Sequence, residues 1–105
     1  MQKINGIPGS KGEKTGIAKI ILDIDEISDF KPGDILVTSS TSPQWTPLMR
    51  LASAIVTDIG GSLSHAAIVS REFGIPAVVG TQNATSIIKN GQTITVNGTE
   101  GFVYI

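Results

Sequence analysis

Glycine and proline set the grain of this sequence. Twelve glycines and five prolines are spread along 105 residues instead of being gathered into one tract. Each interrupts or ends a run of regular backbone, so the chain reads as many short elements separated by turns. Thr15 to Leu22 alternates in the manner of a strand. Asp34 to Thr38 (Asp-Ile-Leu-Val-Thr), Ala54 to Thr57 and the very short Ala77 to Val79 are runs of the fully buried type. Thr93 to Val96 alternates again, and Phe102 to Ile105 closes the chain as a last strand. Helices are expected over Thr46 to Ala54, where Pro47 suits the first turn, over about Ser64 to Phe73, and over Ala84 to Lys89. Gly74 with Pro76 ends the second of these, and Asn90-Gly91 ends the third. Asn97-Gly98 opens a turn. Residues 5–16, with four glycines, one proline and three charges, are expected to be loop, and Asp23 to Gly33 is acidic and turn-like. Short strands interleaved with two to three helices indicate a mixed α/β domain, whose strand order the pattern does not reveal.

At this length one domain is expected, spanning 1–105, with enough buried surface for one real core. Hydrophobic residues make up 40% and charged residues 16%, an ordinary globular balance. The net charge of −1 offers no basic face for nucleic acid and no polybasic patch for a membrane. The longest apolar run is far short of a bilayer span, and no signal-peptide pattern opens the chain, so a cytoplasmic location is expected. With no cysteine, disulfides and thiolate zinc sites are ruled out, and a single histidine cannot build a transition-metal site alone.

That histidine, His65, is the candidate nucleophile. It stands in Gly60-Gly61-Ser62-Leu63-Ser64-His65, at the start of an apolar-periodic run. A glycine-rich loop entering a helix is where proteins hold phosphate. The helix N-terminus carries about half a positive charge, which favours a neutral, nucleophilic imidazole and then a dianionic phosphoryl group attached to it. Gly60 and Gly61 would let backbone N–H groups approach that group closely. Ser62 and Ser64 can cap the helix, donate to phosphate oxygens, or do both. The plain alternative is a packed histidine behind an ordinary loop.

The segment from Gly60 to Arg71, continued through Glu72-Phe73-Gly74-Ile75-Pro76-Ala77-Val78-Val79-Gly80, resembles the phosphohistidine motif of the phosphoenolpyruvate-utilising enzymes. That family includes phosphoenolpyruvate synthase, pyruvate phosphate dikinase, the first enzyme of the sugar phosphotransferase system and rifampicin phosphotransferase. Supporting blocks are Gly6-Ile7-Pro8-Gly9-Ser10, Pro32-Gly33-Asp34-Ile35-Leu36-Val37-Thr38, Ser42-Pro43-Gln44-Trp45-Thr46-Pro47 and Gly98-Thr99-Glu100-Gly101. The resemblance implies a three-layer β/β/α swivelling domain whose histidine, matched by His65, takes a phosphoryl group at one active site and delivers it at another. Gly60, Gly61, Ser62 and Ser64 match the loop around it. Thr57 and Arg71 fall on family-like positions as possible supporting residues. Arg71 would pair with phosphate, with Glu72 or with Asp58, or else sit on the surface, and Trp45 reads as a packed residue. Dikinases resemble one another in a threonine two residues before the histidine, and synthases commonly show cysteine just before it. Leu63 and Ser64 stand there instead, and the blocks lean toward synthase-like or rifampicin-phosphotransferase-like members.

The chain shows no P-loop and no acidic cluster spaced for Mg²⁺. No cofactor or metal is expected on this domain. The resemblance places ATP and Mg²⁺ in partners: an ATP-grasp nucleotide-binding domain that donates the β-phosphoryl group, and an acceptor domain, either a phosphoenolpyruvate/pyruvate barrel or a drug-binding domain. A swivel or interaction domain that is never phosphorylated is the competing reading.

Overall fold

The computed structural model describes residues 2–26 and 29–105. Strands β1 (Lys3–Asn5), β2 (Ile7–Ser10) and β3 (Glu13–Ile20) come first, followed by β4 (Ile35–Thr38). Helix α1 (Thr46–Leu51), β5 (Ala54–Thr57), α2 (His65–Phe73), β6 (Ala77–Val79) and α3 (Ala84–Ile87) lead to the final hairpin, β7 (Thr93–Asn97) and β8 (Phe102–Tyr104). Two 3₁₀ turns, Ile24–Glu26 and Pro43–Trp45, complete the set.

The strands run in the order β1-β8-β7-β3-β4-β5-β6-β2. β3 joins two halves. Its first five residues, Glu13 to Ile17, pair antiparallel with β7, and Ala18 to Ile20 pair parallel with β4. β4, β5 and β6 are mutually parallel, and β2 closes their far edge antiparallel to β6.

Two cores share the parallel half. Ile35, Val37, Ala54, Val56 and Val78 face one core with Ile4, Ile94, Val96 and Val103 of the antiparallel half. Leu36, Ile55, Ala77 and Val79, the alternate residues of the same strands, face the other core with Trp45, Leu48, Met49, Ala66, Ala67 and Val69 from the helical side. The result is the expected β/β/α stack. It also explains the unbroken apolar runs, because strands covered on both faces need side chains of one kind on both.

The expected loop over residues 5–16 is a misreading. β2 and the start of β3 lie there, and β1 precedes them. Gly12, with φ +118°, turns the chain between β2 and β3, but Gly6 serves close approach: a Cβ there would stand 2.7 Å from Val78 Cγ1 and from the Val79 carbonyl oxygen. Pro8 is tolerated because β2 is an edge strand. α1 ends at Leu51, short of the expected Ala54, because Ala52 turns to extended backbone (ψ 145°) and Ala54 belongs to β5. α3 stops at Ile87, since Ile88 is extended and buried in the core. Asp23 to Gly33 contains the Ile24–Glu26 turn, while Ile27 and Ser28 lie outside the described residues.

Candidate functional site

The site is assembled at the carboxyl ends of the neighbouring parallel strands β4 and β5, the end of such a sheet at which ligands are held. The chain leaving β5 forms the glycine loop and enters α2. The chain leaving β4 passes beside it and carries Thr41.

Thr57, the last residue of β5, is fully buried, and its hydroxyl donates to the Ile59 carbonyl at 2.8 Å. Its own carbonyl accepts from the Thr81 amide at 3.1 Å and the Thr81 hydroxyl at 3.0 Å. Thr57 therefore shapes the loop from beneath. The Asp58 carboxylate is also spent on structure, accepting from the Thr85 amide at 3.0 Å and the Thr85 hydroxyl at 2.6 Å. The amides of Asp58 and Ile59 donate to the carbonyls of Thr38 (3.2 Å) and Ser39 (3.0 Å). A loop bonded on both sides in this way holds its shape before any ligand arrives.

The two loop glycines differ. Gly60 has φ +123°, and a Cβ there would meet Ser64 Oγ at 2.9 Å. Gly61 has no positive φ, and a Cβ there would point into open space. Of the two, Gly60 is the one whose conformation requires glycine. Gly80 underlies it with φ +64°, and a Cβ on Gly80 would stand 2.7 Å from the Gly60 carbonyl oxygen.

A turn closed by the Ser64 amide donating to the Gly61 carbonyl (3.0 Å) leads into α2. Ser64 is the N-cap: its backbone is extended, and its hydroxyl accepts from the Ala67 amide at 3.4 Å. Ser62 does not cap. Its side chain is exposed in the turn, and its carbonyl accepts from Arg71 at 2.8 Å. Gly74, with φ +70°, ends the helix as the sequence predicts.

His65 is the first residue of α2 and is half-buried. Its Nδ1 lies 2.7 Å from Thr41 Oγ1. When the threonine oxygen accepts from Nδ1–H, the Nε2 lone pair is left free, and among the described residues Nε2 has no hydrogen-bond partner. The arrangement offers one ring nitrogen as a nucleophile at a helix N-terminus. Thr41 is the site residue that sequence reasoning missed. It stood one residue before a block already singled out, Ser42 to Pro47, but nothing in its own neighbourhood signals a histidine 24 positions away.

Replacing Thr41 by valine removes the oxygen at nearly constant volume. The fold is expected to survive and the transfer rate to fall by about 10- to 100-fold, in line with the loss of a partner that fixes a tautomer. Nitrogen-15 spectra of the imidazole should show the Nδ1-protonated form giving way to a mixture. An unchanged tautomer and rate would mean that Thr41 does not orient the ring.

Arg71 pairs with neither Asp58 nor Glu72. Its guanidinium donates to the carbonyls of Gly9 (2.6 Å) and Ser62 (2.8 Å), strapping the edge strand β2 to the loop before the histidine. Arg71→Gln is expected to cost about 1–2 kcal/mol, the range for hydrogen bonds from a charged donor, read as a lowered unfolding midpoint. Faster amide exchange at Ser64, in the strapped turn, should accompany it. Trp45 is buried in the core beside α1, as expected of a packed residue.

A family model described as "PEP-utilising enzyme, mobile domain" matches residues 30–101, which includes the whole glycine loop, His65 and Thr41. The chain belongs to this family. The mobile domain is 56% identical over 103 residues to a "Probable phosphoenolpyruvate synthase" of Staphylothermus marinus, covering 96% of this chain and 12% of that protein. It is 49% identical to a "Rifampicin phosphotransferase" of Bacillus subtilis, covering 97% of this chain and again 12% of the relative. A solution structure titled Enzyme I superposes with a TM-score of 0.64 at 36% identity, over 74% of this chain and 32% of that one. The mobile domain thus spans about an eighth of the length of these curated relatives. No helix among the described residues is long and apolar enough to cross a membrane.

Proposed function

We propose that residues 1–105 are one phosphocarrier domain of a longer cytoplasmic phosphotransferase, with His65 as the residue that is phosphorylated. The observation that carries this reading is the pairing of the single imidazole with Thr41 at the N-terminus of α2. Nε2 attacks the β-phosphorus of ATP as its bond to the AMP phosphate oxygen breaks, and the γ-phosphoryl group still attached to it is then released to water as orthophosphate, leaving one phosphoryl group on the ring. The ring gains positive charge, and Nδ1–H, bonded to the threonine oxygen, carries part of it. The phosphoryl oxygens lie against the α2 N-terminus, where unpaired amides and the helix dipole favour negative charge. In the return step an acceptor oxygen attacks the same phosphorus, the P–Nε2 bond breaks, and the neutral ring is restored.

Phosphoryl transfer depends on positioning and on cations around the phosphates. Among the described residues no group of three acidic or histidine side chains gathers to hold a metal ion. In this reading ATP and Mg²⁺ belong to a nucleotide-binding domain of ATP-grasp type, and the acceptor, pyruvate or a drug, to a further domain. Relatives named for two different acceptors resemble this chain almost equally, at 56% and 49% identity. That likeness supports a carrier of one kind serving enzymes that differ in their acceptors.

Labelling tests the reading. The full-length enzyme, given ATP labelled separately in its β and γ positions, is expected to acquire one acid-labile, alkali-stable phosphoryl group from the β position on the peptide containing His65. An acid-stable label, or one on another residue, overturns it.

A further inference from the structure

We propose that the cavity between the edge strand β2, the C-terminal end of α2 and the β7–β8 turn binds a small organic dianion, with Lys11 and Arg71 holding its charge. The proposal goes beyond the carrier reading and does not depend on it. The cavity has a volume of about 520 Å³, within the range of roughly 300–1,000 Å³ in which proteins hold small molecules. Gly74, at its edge, stands nine positions after His65, about 13 Å along the axis of α2. The cavity is therefore a second site and not an extension of the first.

Charge decides what it holds. Among the described residues that line it, only Lys11 and Arg71 are charged, and both are cations. Neither has a carboxylate partner among the described residues. The Arg71 guanidinium gives one N–H to the Gly9 carbonyl and one to the Ser62 carbonyl, both neutral, and keeps the rest. Gly74 brings the negative end of α2 to the cavity, about half a unit charge against two full positive ones, so the sum stays positive. Hydroxyls add to it. Ser10 is only 6% exposed, and its hydroxyl has no hydrogen-bond partner among the described residues. A buried hydroxyl left unpaired is costly, and an acceptor inside the cavity relieves it. Thr99 Oγ1 accepts from the Gly12 amide at 2.9 Å, and its O–H remains to donate. Ammonium, guanidinium and two hydroxyls are all donors. They match a ligand with two negative charges and several acceptor oxygens, a phosphate monoester or a dicarboxylate.

The walls are set before any ligand arrives. The Gly98 amide donates to the Gly12 carbonyl at 2.8 Å. A Cβ on Gly98 would collide with the Ser10 carbonyl oxygen, so the β7–β8 turn sits directly on the end of β2. Arg71 ties the third wall, α2, to Gly9. A site preformed in this way loses little freedom on binding. Pro8 gives the carbon skeleton of the ligand an apolar surface to lie on.

Equilibrium dialysis of the full-length enzyme against radiolabelled glycerol 3-phosphate and, separately, succinate tests the proposal. ATP and Mg²⁺ are present throughout, to keep the probes off a nucleotide site. One of the two dianions is expected to bind saturably, one per chain, and uncharged glycerol is not. Tighter binding of the phosphate ester marks a phosphate site, and tighter binding of succinate a carboxylate site. Lys11→Met is expected to weaken the binding by about tenfold or more, the scale of a lost charge-assisted hydrogen bond. Ser10→Ala should weaken it by about threefold to tenfold without lowering the unfolding midpoint, since the hydroxyl it removes has no partner in the protein. Lys14→Met, an exposed lysine on β3 outside the cavity, should leave the affinity unchanged. Failure of both dianions to bind at millimolar concentration overturns the proposal. So does binding that Lys11→Met and Ser10→Ala leave untouched, or glycerol binding as well as its phosphate ester.

Discussion

His65→Ala is expected to abolish phosphoryl transfer while leaving the domain folded. Alanine is the best helix former, and the position is the first of α2, capped by Ser64 and not by the imidazole. The structural loss is one half-buried side-chain hydrogen bond to Thr41, worth about 1 kcal/mol. The chemical loss is complete. No second histidine and no cysteine exist in the chain to take over. The hydroxyl nearest the ring, on Thr41, is an alcohol with no base beside it once the imidazole is gone, and that of Ser64 is engaged by the Ala67 amide as the helix cap. Intact-mass measurement and phosphorus-31 spectra of the full-length enzyme should show the phosphoramidate in the parent and none in the variant, with matching unfolding curves. Residual label in the variant would place the acceptor atom elsewhere.

Gly60→Ala is expected to damage both stability and transfer, and Gly61→Ala to leave stability untouched. At Gly60 the backbone has φ +123°, a region closed to residues with a Cβ, and the added carbon would stand 2.9 Å from Ser64 Oγ and 3.0 Å from Ser64 Cβ. Relief requires the loop to change shape or the N-cap to move. A loss of about 1–3 kcal/mol follows from the strained backbone alone. Since Ser64 precedes His65, the ring shifts with it, and a misplacement of about 1 Å costs on the order of 100-fold in rate. Gly61→Ala meets nothing within 4 Å, so any effect on its rate would report the approach of phosphate to the loop. Thermal unfolding and transfer rate measured on both variants separate the two roles. Equal unfolding midpoints would show that Gly60 is not under backbone constraint.

Much of the site was legible because its signals are local. Gly60 to His65 announces a loop entering a helix within six residues, and Ser64 and Gly74 cap α2 where their types predict. Apolar runs at β4, β5 and β6 mark strands covered on both faces, and they are. The same local rules misread residues 5–16, because a glycine in a turn and a glycine beneath a neighbouring strand look identical in sequence. Gly6 is needed for the side chain and carbonyl of β6, more than seventy positions away.

The partners of the histidine divide along the same line. Its cap, its place in the helix and the glycines before it are neighbours in the chain, within reach of short-range sterics and hydrogen bonding. Thr41, whose hydroxyl lies 2.7 Å from Nδ1 of the ring, and Arg71, which ties Ser62 to Gly9, act across strands whose pairing no window of sequence contains. Thr41 meets His65 only because β4 and β5 lie side by side and parallel, so that their following loops emerge at the same end of the sheet. That adjacency comes from burying both faces of the parallel strands at once, a condition met by the whole fold and by no segment of it.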